Sequence, residues 1–194
     1  MINAGVPTCC QRSCGRLIPL VVNGTYNDPT GEGKTFITFN LATSQCCGIP
    51  VTRVLRGDLD GLIGRDNLAR LNPSSGSMRL HIVWPGYKRF VRKVRTKTEK
   101  PWMITPNDKF TIEGLVRKVC AQLKAFIVSV HSPSRVLGSD LEKDQVQVGD
   151  GSAPEWAVGR DGISVEHLVL VALKRTSAGA WIPYIRLTND QDGV

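Results

Sequence analysis

Residues 111–130 carry the pattern that most restricts the fold. Apolar side chains fall at Ile112, Leu115, Val116, Val119, Cys120, Leu123, Phe126, Ile127 and Val130. Steps of three, one and four residues gather them into one stripe of an α-helix. Arg117, Lys118 and Lys124 lie off that stripe. Thr111 suits the N-cap, since its hydroxyl accepts a bond from a backbone N–H that the first turn leaves unpaired. Phe110 and Leu115 have the spacing of a hydrophobic staple. Glu113 falls in the first turn, where negative charge suits the helix dipole. A helix with one long apolar face needs a second layer to cover it, and the flanking sequence offers strands for that layer.

Before the helix, Leu80, Ile82 and Trp84 alternate with Arg79, His81 and Val83. That period of two marks a half-buried strand. Pro85-Gly86 follows, and the pair predicts a type II reversal across Trp84-Pro85-Gly86-Tyr87, because the glycine accepts a positive φ. The return run sets Phe90, Arg92, Val94 and Thr96 on one face and Arg89, Val91, Lys93 and Arg95 on the other. Charge on both faces predicts a strand at the sheet edge. After the helix, His167 to Lys174 is a short apolar run with β-branched Val169 and Val171, expected to be a buried strand. Ser177-Ala178-Gly179 then turns into a last strand from Ala180 to Leu187, with Pro183 pointing to an edge or a bulge. The expected class is α+β. A strand-strand-helix-strand-strand core similar to the ubiquitin-like β-grasp carries an irregular, β-rich N-terminal extension.

The rest of the chain divides around that core. Residues 1–16 lack periodicity and are expected to form a flexible tail containing Cys9, Cys10 and Cys14. Residues 17–77 read as the extension and its linker. Within it, Leu17 to Val22 suggests a short strand, and Ile37, Phe39 and Leu41 alternate with Phe36, Thr38 and Asn40 in a second. Pro50 is placed to open a short helix through Val54 and Leu55. Residues 78–188 form the core domain, with a polar, mobile loop at 132–154, and 189–194 form a tail.

Gly48-Ile49-Pro50-Val51, Trp84-Pro85-Gly86-Tyr87, and Phe110-Thr111 with Leu115, Val119 and Phe126-Ile127 occur in that order. Trp156-Ala157-Val158-Gly159, residues 168–173 (LVLVAL), and Ser177-Ala178-Gly179-Ala180-Trp181 follow. Together these motifs resemble an uncharacterised protein family common in basidiomycete fungi. The resemblance spans about the last three quarters of the chain. It implies no function, because none is assigned to that family.

Charge is concentrated. Residues 79–124 hold 12 Lys+Arg and 3 Asp+Glu, a net of +9, whereas the whole chain is +8, so the remainder sums to −1. An anionic partner, nucleic acid or an acidic protein, is the expectation from such a patch. The candidate surface is Lys88, Arg89, Arg92, Lys93, Arg95 and Lys97. The plainer reading is a solvated edge strand. Trp84, Tyr87, Trp102, Trp156 and Trp181 offer either stacking platforms for bases or core packing. No apolar run reaches the length of a membrane span, and no secretory leader is recognised. An intracellular location, cytoplasmic or nuclear, is therefore expected.

Asp28 to Thr35 (DPTGEGKT) comes near a phosphate-binding loop, with Gly31, Gly33, Lys34 and Thr35 in place but Asp28 where the first glycine belongs. Residues 31–42 also resemble the opening of MinD/ParA-like and bacterial tyrosine-kinase ATPases, and Asp58-Leu59-Asp60 is similar to their second motif. Such a loop must lead into a helix, yet Phe36-Ile37-Thr38-Phe39 favours a strand. The paired cysteines Cys9-Cys10 and Cys46-Cys47 lack the spacing that wraps zinc, and free thiols are expected without a secretory leader. Cys120 belongs to the helix core. His81, His131 and His167 are isolated, and Ser164, Glu166 and His167 make no recognisable triad. The leading expectation is a non-enzymatic interaction module without cofactor or metal. The alternative is a divergent P-loop nucleotide hydrolase.

Overall fold

A computed structural model describes residues 15–18, 36–44, 46–69, 71, 76–96, 110–131, 153–159 and 162–188. The elements run β1 (Phe36–Thr38), β2 (Ile49–Pro50), α1 (Val51–Leu55), β3 (Ser77–Ile82), β4 (Phe90–Arg95), α2 (Ile112–His131), β5 (Leu168–Arg175) and β6 (Trp181–Leu187). Short 3-10 turns at Pro154–Trp156 and Val165–His167 precede β5. The strands join one six-stranded sheet of order β1-β5-β6-β3-β4, with β2 also on β5. All pairings are antiparallel except β3 with β6. The architecture is mixed α+β.

Thr111 caps α2 as its hydroxyl predicts: its Oγ1 accepts the Gly114 N–H at 3.2 Å. Leu115, Val116, Val119, Cys120, Leu123, Phe126 and Ile127 are all buried, and Phe110 packs beside them. They share one core with Leu80, Ile82, Phe90 and Val94 of the first hairpin and Leu168, Leu170, Trp181 and Ile185 of the second. Each fully buried side chain of this size contributes roughly 1.5–3 kcal/mol relative to exposure. Cys120 is buried and free, and burial pushes its thiol far up, so it is an inert core residue.

The first hairpin follows its pattern. Gly86 has φ +77°, and the Tyr87 N–H donates to the Trp84 carbonyl at 3.1 Å. β4 ends the strand order, the edge position its charges predict. The last strand follows the bulge alternative rather than the edge. β6 lies between β5 and β3, so Pro183 is in an interior strand rather than at an edge. The β5–β6 register steps between Leu170 and Ala172, and Pro183 pairs Leu173 just beyond that irregularity. Proline is tolerated there because the ladder is already disturbed.

The segment before β3 is built onto the same sheet. Ile37, Phe39 and Leu41 are buried, in the predicted phase. The expected strand is shorter: β1 ends at Thr38, and Leu41 makes an isolated bridge to Leu62. At the amino end, Leu17 makes a lone bridge to Arg186, and residues 19–22 of the expected strand lie outside the described residues. Pro50 does introduce a short helix, standing at its N-cap. Gly48 has φ +109°, and a Cβ there would lie 2.6 Å from Val169 Cγ1, so only glycine lets this backbone run against β5. The expected tails, and the 132–154 loop apart from Ala153 and Pro154, also lie outside the described residues.

The expectation of free thiols in the second cysteine pair is overturned. Cys46 and Cys47 are both disulfide-bonded rather than free. Cys47 is buried against Val169, Val171 and Ala172 on the face of β5 away from α2, beside Leu17 and Tyr184. Adjacency of two cysteines carries no pairing information, which is why sequence spacing missed this.

Two outcomes are expected. Leu115→Asp or Leu123→Asp should unfold the protein, because an unpaired carboxylate would enter a fully buried site. Even a cavity from Leu→Ala costs about 2–5 kcal/mol, against a total stability of roughly 5–15 kcal/mol. A melting temperature unchanged from wild type would refute that burial. Reduction with a phosphine should lower the urea midpoint, since losing a native disulfide from a small domain typically costs about 2–5 kcal/mol. Coincident curves with and without reductant would show that the bonds contribute nothing.

Candidate basic interface

Residues 77–95 contain six Lys+Arg and no Asp or Glu. The β3–β4 register decides which of these share a surface: Ser77 opposes Arg95, Arg79 opposes Lys93, Leu80 opposes Arg92, and His81 opposes Val91. Since directly opposed residues share a face, one face holds Arg79, His81, Val91, Lys93 and Arg95. It points away from the α2 core, and Arg79, Val91, Lys93 and Arg95 are exposed. Val91 is 48% exposed, an apolar centre among the cations. The Arg79 guanidinium is steadied by donating to the Ala178 carbonyl at 3.1 Å, in the turn between β5 and β6.

His81 is the titratable group of this face. Its Nδ1 is buried without a hydrogen-bond partner. Burial holds its pKa below the ordinary imidazole value, and the positive charges of Arg89 and Arg79 push in the same direction.

The six cations predicted from sequence therefore divide. Lys93 and Arg95 lie on the outward face, and Lys88 and Arg89 are exposed in the loop before β4. Arg92 turns to the opposite, core-side face, with its guanidinium carbon 4.3 Å from the Phe90 ring centroid. Lys97 lies outside the described residues. Sequence reasoning missed Arg79 and His81 as members of the surface. Their alternation with Leu80 and Ile82 was the available signal, but only the hairpin register sets them beside Lys93.

The described tryptophans, Tyr87 and Phe90 do not serve this face. Trp84, Trp156 and Trp181 are each 2% exposed. The Trp84 indole N–H donates to the Trp156 carbonyl at 2.8 Å, and the Tyr87 hydroxyl accepts the Val158 N–H at 2.9 Å. Trp84, Tyr87 and Phe90 surround Phe126 with ring centroids at 5.5, 6.0 and 5.7 Å. They are core, and the stacking-platform expectation fails for the three buried tryptophans. Trp102 lies outside the described residues.

Ser164, Glu166 and His167 do come together. Ser164 Oγ is 3.1 Å from Glu166 Oε2 and 3.2 Å from His167 Nδ1. That nitrogen accepts the Ser164 backbone N–H at 3.0 Å, so its lone pair is committed and the hydroxyl proton goes to Glu166. A catalytic histidine would instead face the serine through one nitrogen and be oriented by an acid through the other. The cluster is a cap on the Val165–His167 turn.

Of the phosphate-loop residues, Gly31, Gly33, Lys34 and Thr35 lie outside the described residues. The position that follows them is strand β1, antiparallel to β5, where a phosphate loop needs a helix N-terminus. Asp58, read as part of a second motif, is engaged in a two-pronged bond with Arg53, both contacts at 2.8 Å. Among the described residues no group of three or more His, Cys, Asp and Glu side chains is arranged to hold a metal. No described helix is long and apolar enough to cross a membrane. No family model, curated protein or solved structure matches the chain.

A pH dependence of stability follows from His81. Unfolded, its imidazole titrates near ~6.5. Its folded pKa is lower, so as pH falls the unfolded chain takes up the proton first. The stabilising contribution is complete above about pH 6.5 and declines as pH drops toward the folded value. Urea midpoints measured from pH 8 to 5 should fall more steeply for wild type than for His81→Gln. Parallel curves would show that His81 is not the group responsible.

Proposed function

We propose that this protein is a non-enzymatic interaction module whose outward β3–β4 face binds an acidic polypeptide. The observation that carries the reading is the register itself: it gathers Arg79, Lys93 and Arg95 onto one exposed face of a hairpin that contains no acid. A partner rich in carboxylates satisfies such a face without requiring a groove-reading element or a base-stacking ring. Nucleic acid is the weaker form of the same idea, because Trp84, Trp156 and Trp181 are buried. The nucleotide-hydrolase reading has strand β1 against it.

We read the core as β-grasp-like. The support is a hairpin, a helix and a second hairpin, with β3 and β6 parallel and adjacent. Kinship with the basidiomycete family belongs to the same proposal and is supported by sequence motifs alone. The intracellular location expected from sequence has the bonded Cys46 and Cys47 against it, since such bonds persist in oxidising surroundings.

Fluorescence polarisation of labelled polyaspartate and of labelled single-stranded DNA across a salt series tests the proposal. Polyaspartate should bind at low ionic strength and weaken as salt screens the exposed charges. Replacing Arg79, Lys93 and Arg95 together by glutamine should cost roughly three- to hundred-fold in affinity, the range spanned by three exposed ion pairs. Circular dichroism should show the variant folded. Undiminished binding by the triple variant would overturn the assignment of the face, and a strong preference for DNA would transfer the role to nucleic acid.

A further inference from the structure

We propose that Arg79, His81 and Lys93 form an anion-binding centre on this face, and that an anionic group seated there is held more tightly when His81 takes up a proton. The inference rests on the acidic-partner reading and adds its regulation. Arg79 and Lys93 are directly opposed in an antiparallel pair, where side chains stand closest across the sheet and like charges repel. His81 follows two residues after Arg79 on the same face, diagonal to Lys93, a separation of roughly 7–8 Å by sheet geometry. The register thus places three nitrogen-bearing side chains on one face, with no carboxylate on either strand. A bound carboxylate relieves the Arg79–Lys93 repulsion and offers the imidazolium a counter-charge.

The ring's surroundings fit this role. Its buried Nδ1 has no partner, so a ring protonated on both nitrogens leaves one N–H unmet, a cost the free protein bears alone. Among the described residues, the charged groups acting on it are Arg79 on its own strand and Arg89 before β4, both of which oppose protonation. Lys93 shares the face from β4, diagonal to His81 in the register. From β6, Ile182 and Tyr184 share the outward face by the Leu80–Trp181 register. Tyr184 is the titratable one, and burial pushes its phenol up, so it stays neutral between pH 5.5 and 8. With positive neighbours suppressing the imidazolium in the free protein, an anion has the most to gain by restoring it. Coupling is reciprocal: the factor by which protonation tightens binding equals the factor by which binding raises the affinity of His81 for its proton.

Labelled polyaspartate is the probe, because its carboxylates stay largely ionised from pH 5.5 to 8 and the His81→Gln comparison cancels the small change in its own charge. Affinity should rise about five- to tenfold from pH 8 to 5.5, within the limit set by uptake of one proton. His81→Gln should bind at pH 8 much as wild type does, yet lose the rise. His81→Lys, always charged, should bind tightly at both pH values. In parallel, the His81 ring proton followed by NMR should titrate at higher pH when polyaspartate is present, by about one pH unit for a tenfold coupling. Binding without pH dependence, or an equal dependence in His81→Gln, overturns this inference and leaves the acidic-partner reading standing. Absence of binding at every pH and low salt overturns both. A pH-linked gain seen with single-stranded DNA and not with polyaspartate would move the centre to phosphate chemistry and overturn the carboxylate partner.

Discussion

Helix α2 has two tasks that cannot be separated. It covers the inner face of the sheet, and it carries the chain from β4 at one edge to β5 on the far side of β6. A crossover of this kind is what allows β3 and β6 to lie parallel, since two strands joined by a tight turn can pair only antiparallel. The stripe from Leu115 to Ile127 is buried along its whole length, so the joint between the hairpins is held by the same contacts that form the core. If those contacts were lost, each hairpin would have to stand alone, and an isolated hairpin is marginal in water.

Charges are treated differently on the two sides of this layer. Where α2 meets the segment before β3, acids and bases are matched. Glu113 accepts from Arg65 at 2.5 Å and from Arg117 at 2.9 Å, and Arg53 holds Asp58. These pairs hold Glu113 and Asp58 below the usual carboxylate range, in each case chiefly through the arginine hydrogen bond. On the outward face of β3 and β4 the opposed pair is Arg79 with Lys93. An ordinary solvated edge gains solubility from lysine and arginine, but it gains nothing from opposing them directly.

The described tryptophans are buried, with Tyr87 and Phe90 packed in the same core. Phe126 needs partners that fill the space between α2 and the hairpin, and Trp84, Tyr87 and Phe90 supply them. Trp84 keeps its polar edge satisfied by the Trp156 carbonyl, so the ring can be buried without an orphaned donor. The Pro85-Gly86 turn therefore anchors the hairpin tip into the core while its two strands present basic side chains outward.

Local patterns in the sequence determined a good deal of this protein. The stapled helix, the Pro85-Gly86 turn, the edge position of β4 and the buried run of β5 all follow from spacing and turn chemistry over a few residues. The short helix after Pro50 follows likewise, and the phase of Ile37, Phe39 and Leu41 needs only a period of two. What sequence alone could not reach involves residues far apart along the chain. Pro183 reads as an edge or bulge residue, and a lone strand cannot choose between them because it does not reveal that β3 will lie beside it. Cys46 and Cys47 read as free thiols because pairing is a distance in space. Arg92 reads as part of the basic surface, and Arg79 and His81 do not, because membership is decided by cross-strand register. A shift of one residue in that register would turn every side chain of β4 to the other face. Composition along residues 79–124 was enough to locate the positive charge. Only the tertiary structure decided which charges stand together, because the packing of Phe90 and Val94 under α2 sends Lys93 and Arg95 outward.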